Sequence, residues 1–235
     1  MTDSFVMGHL KRADRNLLVL YVIIFIACSL ITALVYRISG LYTPYYVALS
    51  ITLAIVVICT AAYTSRVSNL ERRPTFKTLS KFGNFDDIKG QIDAEATSNR
   101  SASRAKLLFT QNWILQPYWS GLHVIHRPTL VWAYTKDLAT RHYVNFIPTG
   151  TTHTYSVLMH YVDFTTVRSL EINTANQDEA NDLLGYIFQY APWIVAGYAP
   201  GIADSWKTNE AEMIALVTRR YNAFILKGAE GLSDT

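Results

Sequence analysis

Apolar residues fall along this chain in three distinct patterns. From Leu17 to Tyr36, LLVLYVIIFIACSLITALVY, 20 residues pass without a charge, and YYVALSITLAIVVICTAAY over 45–63 gives 19 more. Each run spans about 30 Å as a helix, the thickness of a bilayer's hydrocarbon core. A soluble helix pair would carry a polar stripe, and neither run does. Further on the period shortens. AKLLFT, NWILQPY, GLHVIH, LVWAYTK, RHYVNFIP, HTYSVLMHY and TVRSLEIN read as seven short strands. Gln111-Asn112, Gly121, Pro128, Pro148 and Gly150 separate them, a spacing that predicts an antiparallel barrel or sandwich. Within this region Pro148-Thr149-Gly150 reads as a hairpin turn. The last third returns to helical spacing.

Three soluble helices are predicted. Asn84 caps a short one over 85–96, with Phe85, Ile88 and Ile92 on one face and Asp86 and Asp87 in its first turn. Asn176 and Glu179 make a capping pattern ahead of the stripe Leu183, Leu184, Ile187 and Phe188. A third helix runs from about Gly201 to Lys227, carrying Trp206, Met213, Ile214, Val217 and Tyr221. The stretch APWIVAGYAP between the last two is a joint. Ala191 precedes a proline and leaves the helical conformation, and Pro200 suits the start of the next helix. Trp193, Ile194 and Tyr198 are expected to pack onto the barrel.

The expected class is therefore α+β, a transmembrane helical hairpin followed by an antiparallel barrel or sandwich with C-terminal helices. The boundaries read as a cytoplasmic N-terminus over 1–16, the hairpin over 17–63, a juxtamembrane connector with a short helix over 64–104, and a cytoplasmic domain over 105–235. The loop RISGLYTP is short enough to force an antiparallel hairpin. Lys11, Arg12 and Arg15 precede the first span and Arg66, Arg72 and Arg73 follow the second, while the loop holds only Arg37. The positive-inside rule then places both termini in the cytoplasm, with the chain in the cytoplasmic membrane.

Charge and cysteine usage narrow the function classes. Half of the residues are hydrophobic and 17% are charged. The net charge of +3 comes from the first 74 residues, which hold seven Lys or Arg against three Asp or Glu, whereas the remainder holds fourteen against fifteen. A nearly neutral domain offers no basic patch for nucleic acid. Both cysteines, Cys28 and Cys59, lie in the apolar runs, so the domain has no disulfide and no cysteine-based zinc site.

Five histidines, His123, His126, His142, His153 and His160, lie in the strand region. His123 and His126 alternate across a strand, and none of the five shows metal-ligand spacing. Ser103 and Lys106 match S-x-x-K in a linker without the companion motifs that give the pattern meaning. IPTGTTHTY has one glycine where a phosphate loop needs several and a following helix. No nucleophile–base pair, metal or cofactor motif emerges, and the chain reads as a non-enzymatic protein.

The segments TQNWIL, GLHVIHRPTLVWAY, NFIPTGTTHTYSV, APWIVAGY and SWKTNEAEMIALVTRR, together covering most of 84–222, resemble an uncharacterised bacterial family of two-span membrane proteins with a pleckstrin-homology-like cytoplasmic domain. The resemblance implies seven strands closed by a helix. Lipid-binding domains of that kind cluster basic residues around the first hairpin. Here that hairpin is FTQNWIL, without a charge; Arg104 and Lys106 precede it, and Arg127, Lys136 and Arg141 are scattered.

Two functional expectations follow. The first is an interaction or scaffold module held at the cytoplasmic membrane face, meeting a protein partner or a second copy through Trp119, Trp193 or Tyr198. The second is a sensor of anionic membrane lipid that uses Arg66, Arg72, Arg73, Lys77 and Lys81.

Overall fold

A computed structural model describes residues 4–39, 42–69, 71, 73–98, 101–144 and 146–233. The chain is α+β, with two long apolar N-terminal helices, a strand region and C-terminal helices. It divides into two compact units. One is Met1–Arg100 with Leu115–Val124, and the other is Ser101–Ile114 with Ile125–Thr235.

In the first unit, α1 (Phe5–Ser39) and α2 (Tyr42–Ser68) are long and apolar enough to cross a membrane. Most of their hydrophobic side chains, among them Val22, Ile26, Leu30, Ile51 and Ile58, are exposed, as suits a lipid solvent. The helices run antiparallel: Tyr21 meets Tyr63 edge-on at 6.2 Å, and Thr32 meets Thr52 through a 2.9 Å hydroxyl–hydroxyl hydrogen bond. Each threonine hydroxyl also reaches a carbonyl one turn back, on Cys28 or Ala48.

The first helix starts twelve residues before the apolar run, over the stretch read as a separate N-terminus. Val6, Leu10, Ala13 and Leu17 are buried at helical spacing, which gives this extension an apolar stripe of its own. It packs on α4 (Phe85–Ala96), where the Val6 amide donates to Asp93 Oδ1 at 2.9 Å. The Asn84 side chain accepts from the Asp86 amide, the expected cap. In the chain α3 (Pro74–Leu79) precedes α4, and Pro74 opens it.

The strands form two sheets and do not close into a barrel among the described residues. The first holds β1 (Ala102–Arg104), β2 (Leu107–Phe109), β3 (Trp113–Tyr118) and β4 (Gly121–His126) in that order. Ser103 therefore sits in a strand rather than a linker, with Lys106 in the turn after it at φ +66°. The polar turn at Gln111-Asn112 is present, closed by the Thr110 amide donating to the Trp113 carbonyl.

The second sheet holds β5 (Leu130–Val144), β6 (Ile147–Asp163), β7 (Thr166–Thr174) and the two-residue β8 (Val195–Ala196), ordered β7-β6-β5-β8. Ala133, Met159 and Leu170 form one buried row across three strands, and Val157 and Ile172 continue it. The core is completed by Ala180, Leu183 and Ile187 of α5 (Gln177–Tyr190), and by Val217 of α7 (Glu210–Ser233). Phe188, expected in that stripe, is exposed.

The joint reading holds for APWIVAGYAP: α5 ends at Tyr190 and α6 (Pro200–Thr208) starts at Pro200. The joint adds a short parallel strand, with Trp132 opposite Val195 and Ala133 opposite Ala196. The single C-terminal helix expected from Gly201 is two helices, because Asn209 at φ −146° and ψ 55° interrupts it.

The larger departure lies in the second sheet. LVWAYTK and RHYV are one continuous strand, and so is everything from Ile147 to Asp163. Val144 pairs with Ile147, so the chain reverses there and not at Pro148-Thr149-Gly150, which lies inside β6. The β-branched Thr149, Thr151, Thr152 and Thr154 favour extended backbone and carry the strand through.

Candidate interaction surfaces

Of the five basic residues expected to face lipid, Arg72 lies outside the described residues. Arg73 is only 6% exposed, and its Nη2 donates to Asp14 Oδ2 at 2.8 Å. Arg66 approaches the other oxygen of the same carboxylate, Nε to Oδ1, at 3.9 Å, and its Nη2 donates to the Ser120 carbonyl. Both arginines therefore have partners within the first unit. Lys77 and Lys81 are exposed. The tip of the β3–β4 hairpin is held in the same unit. Asn16 Nδ2 donates to the Trp119 carbonyl at 3.0 Å, and Thr75 Oγ1 donates to the Leu122 carbonyl at 2.9 Å.

The three aromatic residues proposed from the sequence as partner contacts separate. Trp119 is 51% exposed and Tyr198 is 59% exposed. Trp193 is 3% exposed, set edge-on to Tyr221 at 4.8 Å and under the Arg127 guanidinium at 5.0 Å. It is a core residue, closed to any partner. Arg127 is likewise structural, because its Nε donates to the Tyr190 carbonyl at 2.8 Å.

Tyr198 belongs to a five-ring cluster on the face of the second sheet away from Ala133 and Met159. His160 stacks on Trp132 at 5.1 Å, Tyr134 lies 4.5 Å from Trp132, and Trp206 of α6 lies 5.1 Å from His160. Tyr198 closes the group at 5.3 Å from Tyr134. Burial among these rings lowers the His160 pKa, and burial is also the largest cause raising that of Tyr134. The neighbouring Glu171 is held low, first by the Ser156 hydroxyl and then by Lys136. The other four strand-region histidines lie outside this cluster: His123 stacks on Tyr118, His126 lies against Trp113, His153 reaches Asp137 and His142 reaches Thr152. Among the described residues no group of three or more His, Cys, Asp or Glu side chains is placed to hold a metal ion.

A third surface was not legible in the sequence. Among the described residues, strand β7 pairs with β6 only from Tyr155 onward, and β8 meets β5 only at Trp132 and Ala133. Residues 138–144 and 146–154 therefore form a two-stranded arm, about 20 Å long at the usual strand rise. Leu138, Tyr143 and Ile147 are exposed on it, and Phe146, at φ +66°, is 99% exposed. Its two edges differ. The β6 edge contains Pro148 and Gly150, which blunt pairing, whereas the β5 edge over 134–144 contains neither. The signal that could have revealed the arm was the threonine run, which favours strand over turn.

Comparison with protein-family models, with curated proteins and with solved structures gave no match.

Proposed function

We propose that this chain is a membrane-anchored, non-enzymatic interaction module that assembles with a second copy of itself through the free edge of β5. The anchor is the α1–α2 hairpin in the cytoplasmic membrane. With both termini on the cytoplasmic side, the domain stands at the inner membrane face. Four strands, then three strands, then a helix is an order that supports a pleckstrin-homology-like domain.

The observation that carries the reading is the pattern of residues along the exposed β5 edge. A two-stranded ribbon is marginally stable alone in water, and an added strand pair relieves that. Antiparallel pairing of two copies centred on Ala139 sets Asp137 of each opposite Arg141 of the other, and Leu138 opposite Thr140. Opposite charges directly across an antiparallel pair are stabilising, and this register forms two such pairs. Edge addition of this kind draws its affinity from main-chain hydrogen bonds.

Crosslinking in native membranes followed by mass spectrometry tests the reading. Peptides joining residues 135–143 of two copies support it. Recovery of a monomer under mild solubilisation, with no such peptide, contradicts it.

A further inference from the structure

The geometry points to a phosphate-binding cleft at the membrane end of the first unit, between the end of α2 and the start of α3. This rests on the membrane-anchor part of the proposed function and not on self-pairing through β5. The cleft is lined by Ala62, Ser65, Arg66, Arg73 and Pro74 and has a volume of about 250 Å³.

Two guanidiniums share one carboxylate there. Asp14 satisfies Arg73 Nη2 at 2.8 Å but stands 3.9 Å from Arg66 Nε, beyond hydrogen-bond range. The Nε atoms of Arg66 and Arg73, and Asp14 Oδ1, are buried without a hydrogen-bond partner. Arg73 is more than nine-tenths buried and lines the cleft. Asp14 thus balances one of the two guanidiniums, Arg66 is left part-exposed with a single carbonyl acceptor, and the Nε donors of both arginines lack an acceptor. Buried charges of this kind are ordinarily paired.

The planar fork of a guanidinium matches a phosphate, which accepts from Nε and Nη side-on. The cleft lies at the C-terminal end of α2, where the helix dipole repels anions, so the attraction falls wholly on the two arginines. Ser65 and Arg66 are the second and third residues after the apolar run of α2, where a spanning helix meets lipid headgroups. The ligand class is a phosphate anion, either the headgroup of an anionic glycerophospholipid or a free phosphate.

Asp14 competes with that ligand for the same donors, and this separates a binding site from a structural ion pair. The experiment uses the full chain in mild detergent. It follows retention of phosphatidylglycerol against phosphatidylcholine by native mass spectrometry, and the thermal shift given by inorganic phosphate. Asp14→Asn is expected to raise phosphatidylglycerol retention. Arg73→Gln and Arg66→Gln are each expected to lower it roughly tenfold, the size of one charge-assisted hydrogen bond. Lys77→Gln and Lys81→Gln are expected to leave it unchanged. Arg66→Gln, at a more exposed position, keeps the test open if Arg73→Gln fails to fold.

Stabilisation by inorganic phosphate that depends on Arg66, with no lipid preference, assigns the cleft to free phosphate. Equal retention of both lipids and no phosphate shift in any variant overturns the proposal. Loss on Lys77→Gln and Lys81→Gln in place of the arginine variants also overturns it, in favour of a diffuse basic surface. None of these outcomes bears on pairing through β5.

Discussion

The indole Nε1 of Trp132 donates to the carbonyl of Gly197 at 2.9 Å, fastening the helix-to-helix joint to the second sheet. The Gly197 amide returns a bond to the Ala133 carbonyl at 2.8 Å, so one glycine is held from both sides. Its φ of +87° is the reason a glycine stands there. Gly197→Ala is expected to cost about 1–2 kcal/mol, the penalty for a side chain in left-handed backbone. Thermal unfolding followed by tryptophan fluorescence reads this. An unchanged midpoint would show that the joint tolerates the strain.

Trp193 and Tyr198 stand five residues apart in that joint and should respond to truncation by very different amounts. Trp193→Ala removes a buried ring from beneath Arg127 and beside Tyr221, and is expected to destabilise the domain by about 3–5 kcal/mol. Tyr198→Ala removes a largely exposed ring, and the expected loss is about 1 kcal/mol, the worth of its aromatic contacts. Denaturant unfolding of the two variants side by side checks the order. A milder effect for Trp193→Ala would argue against its place in the core.

His160 makes a prediction for pH. Burial lowers its native pKa below the ordinary 6.5, so between the two values the unfolded chain binds more protons than the native one. Stability therefore falls as pH drops below about 6.5 and levels off once the native residue also protonates. His160→Phe keeps a ring against Trp132 and Trp206 but cannot take up the proton. The difference in stability between the two proteins should change across that window and stay flat above it. Glu171, held low by Ser156 and Lys136, adds a separate loss at more acid pH in both proteins, as pH falls through its native value. A difference that does not vary with pH would remove His160 from the account.

The sequence made the outline of the fold legible wherever a local signal agreed with the tertiary outcome. Asn84 and Asn176 cap the helices they were expected to cap, because a side-chain acceptor before an apolar stripe has few alternatives. The joint was readable because proline acts on its immediate neighbours. Long-range outcomes were not readable. Arg66 and Arg73 look like membrane-facing charges until Asp14, 59 residues from Arg73, is brought beside them. Trp193 looks like a surface anchor until α7 folds over it. The arm was hidden because proline and glycine at 148–150 suggest a turn, while cross-strand pairing with His142 and Tyr143 keeps that stretch extended.

The proposed pairing of two copies along β5 is open to a physical test in membranes. The most direct measurement is disulfide crosslinking of single cysteines placed in a Cys28→Ser, Cys59→Ser background in membranes. With Ala139 on the two-fold axis, the two Ala139 Cα atoms lie about 4.5–5.5 Å apart, within disulfide range. Ala139→Cys should therefore give a crosslinked dimer under mild oxidation. Phe146→Cys, at the far ends of the paired arms, should stay monomeric. Adding Asp137→Arg should abolish the dimer, and a further Arg141→Asp should restore it. Crosslinking at Phe146 without crosslinking at Ala139 would contradict the account, because the arms would then meet at their tips.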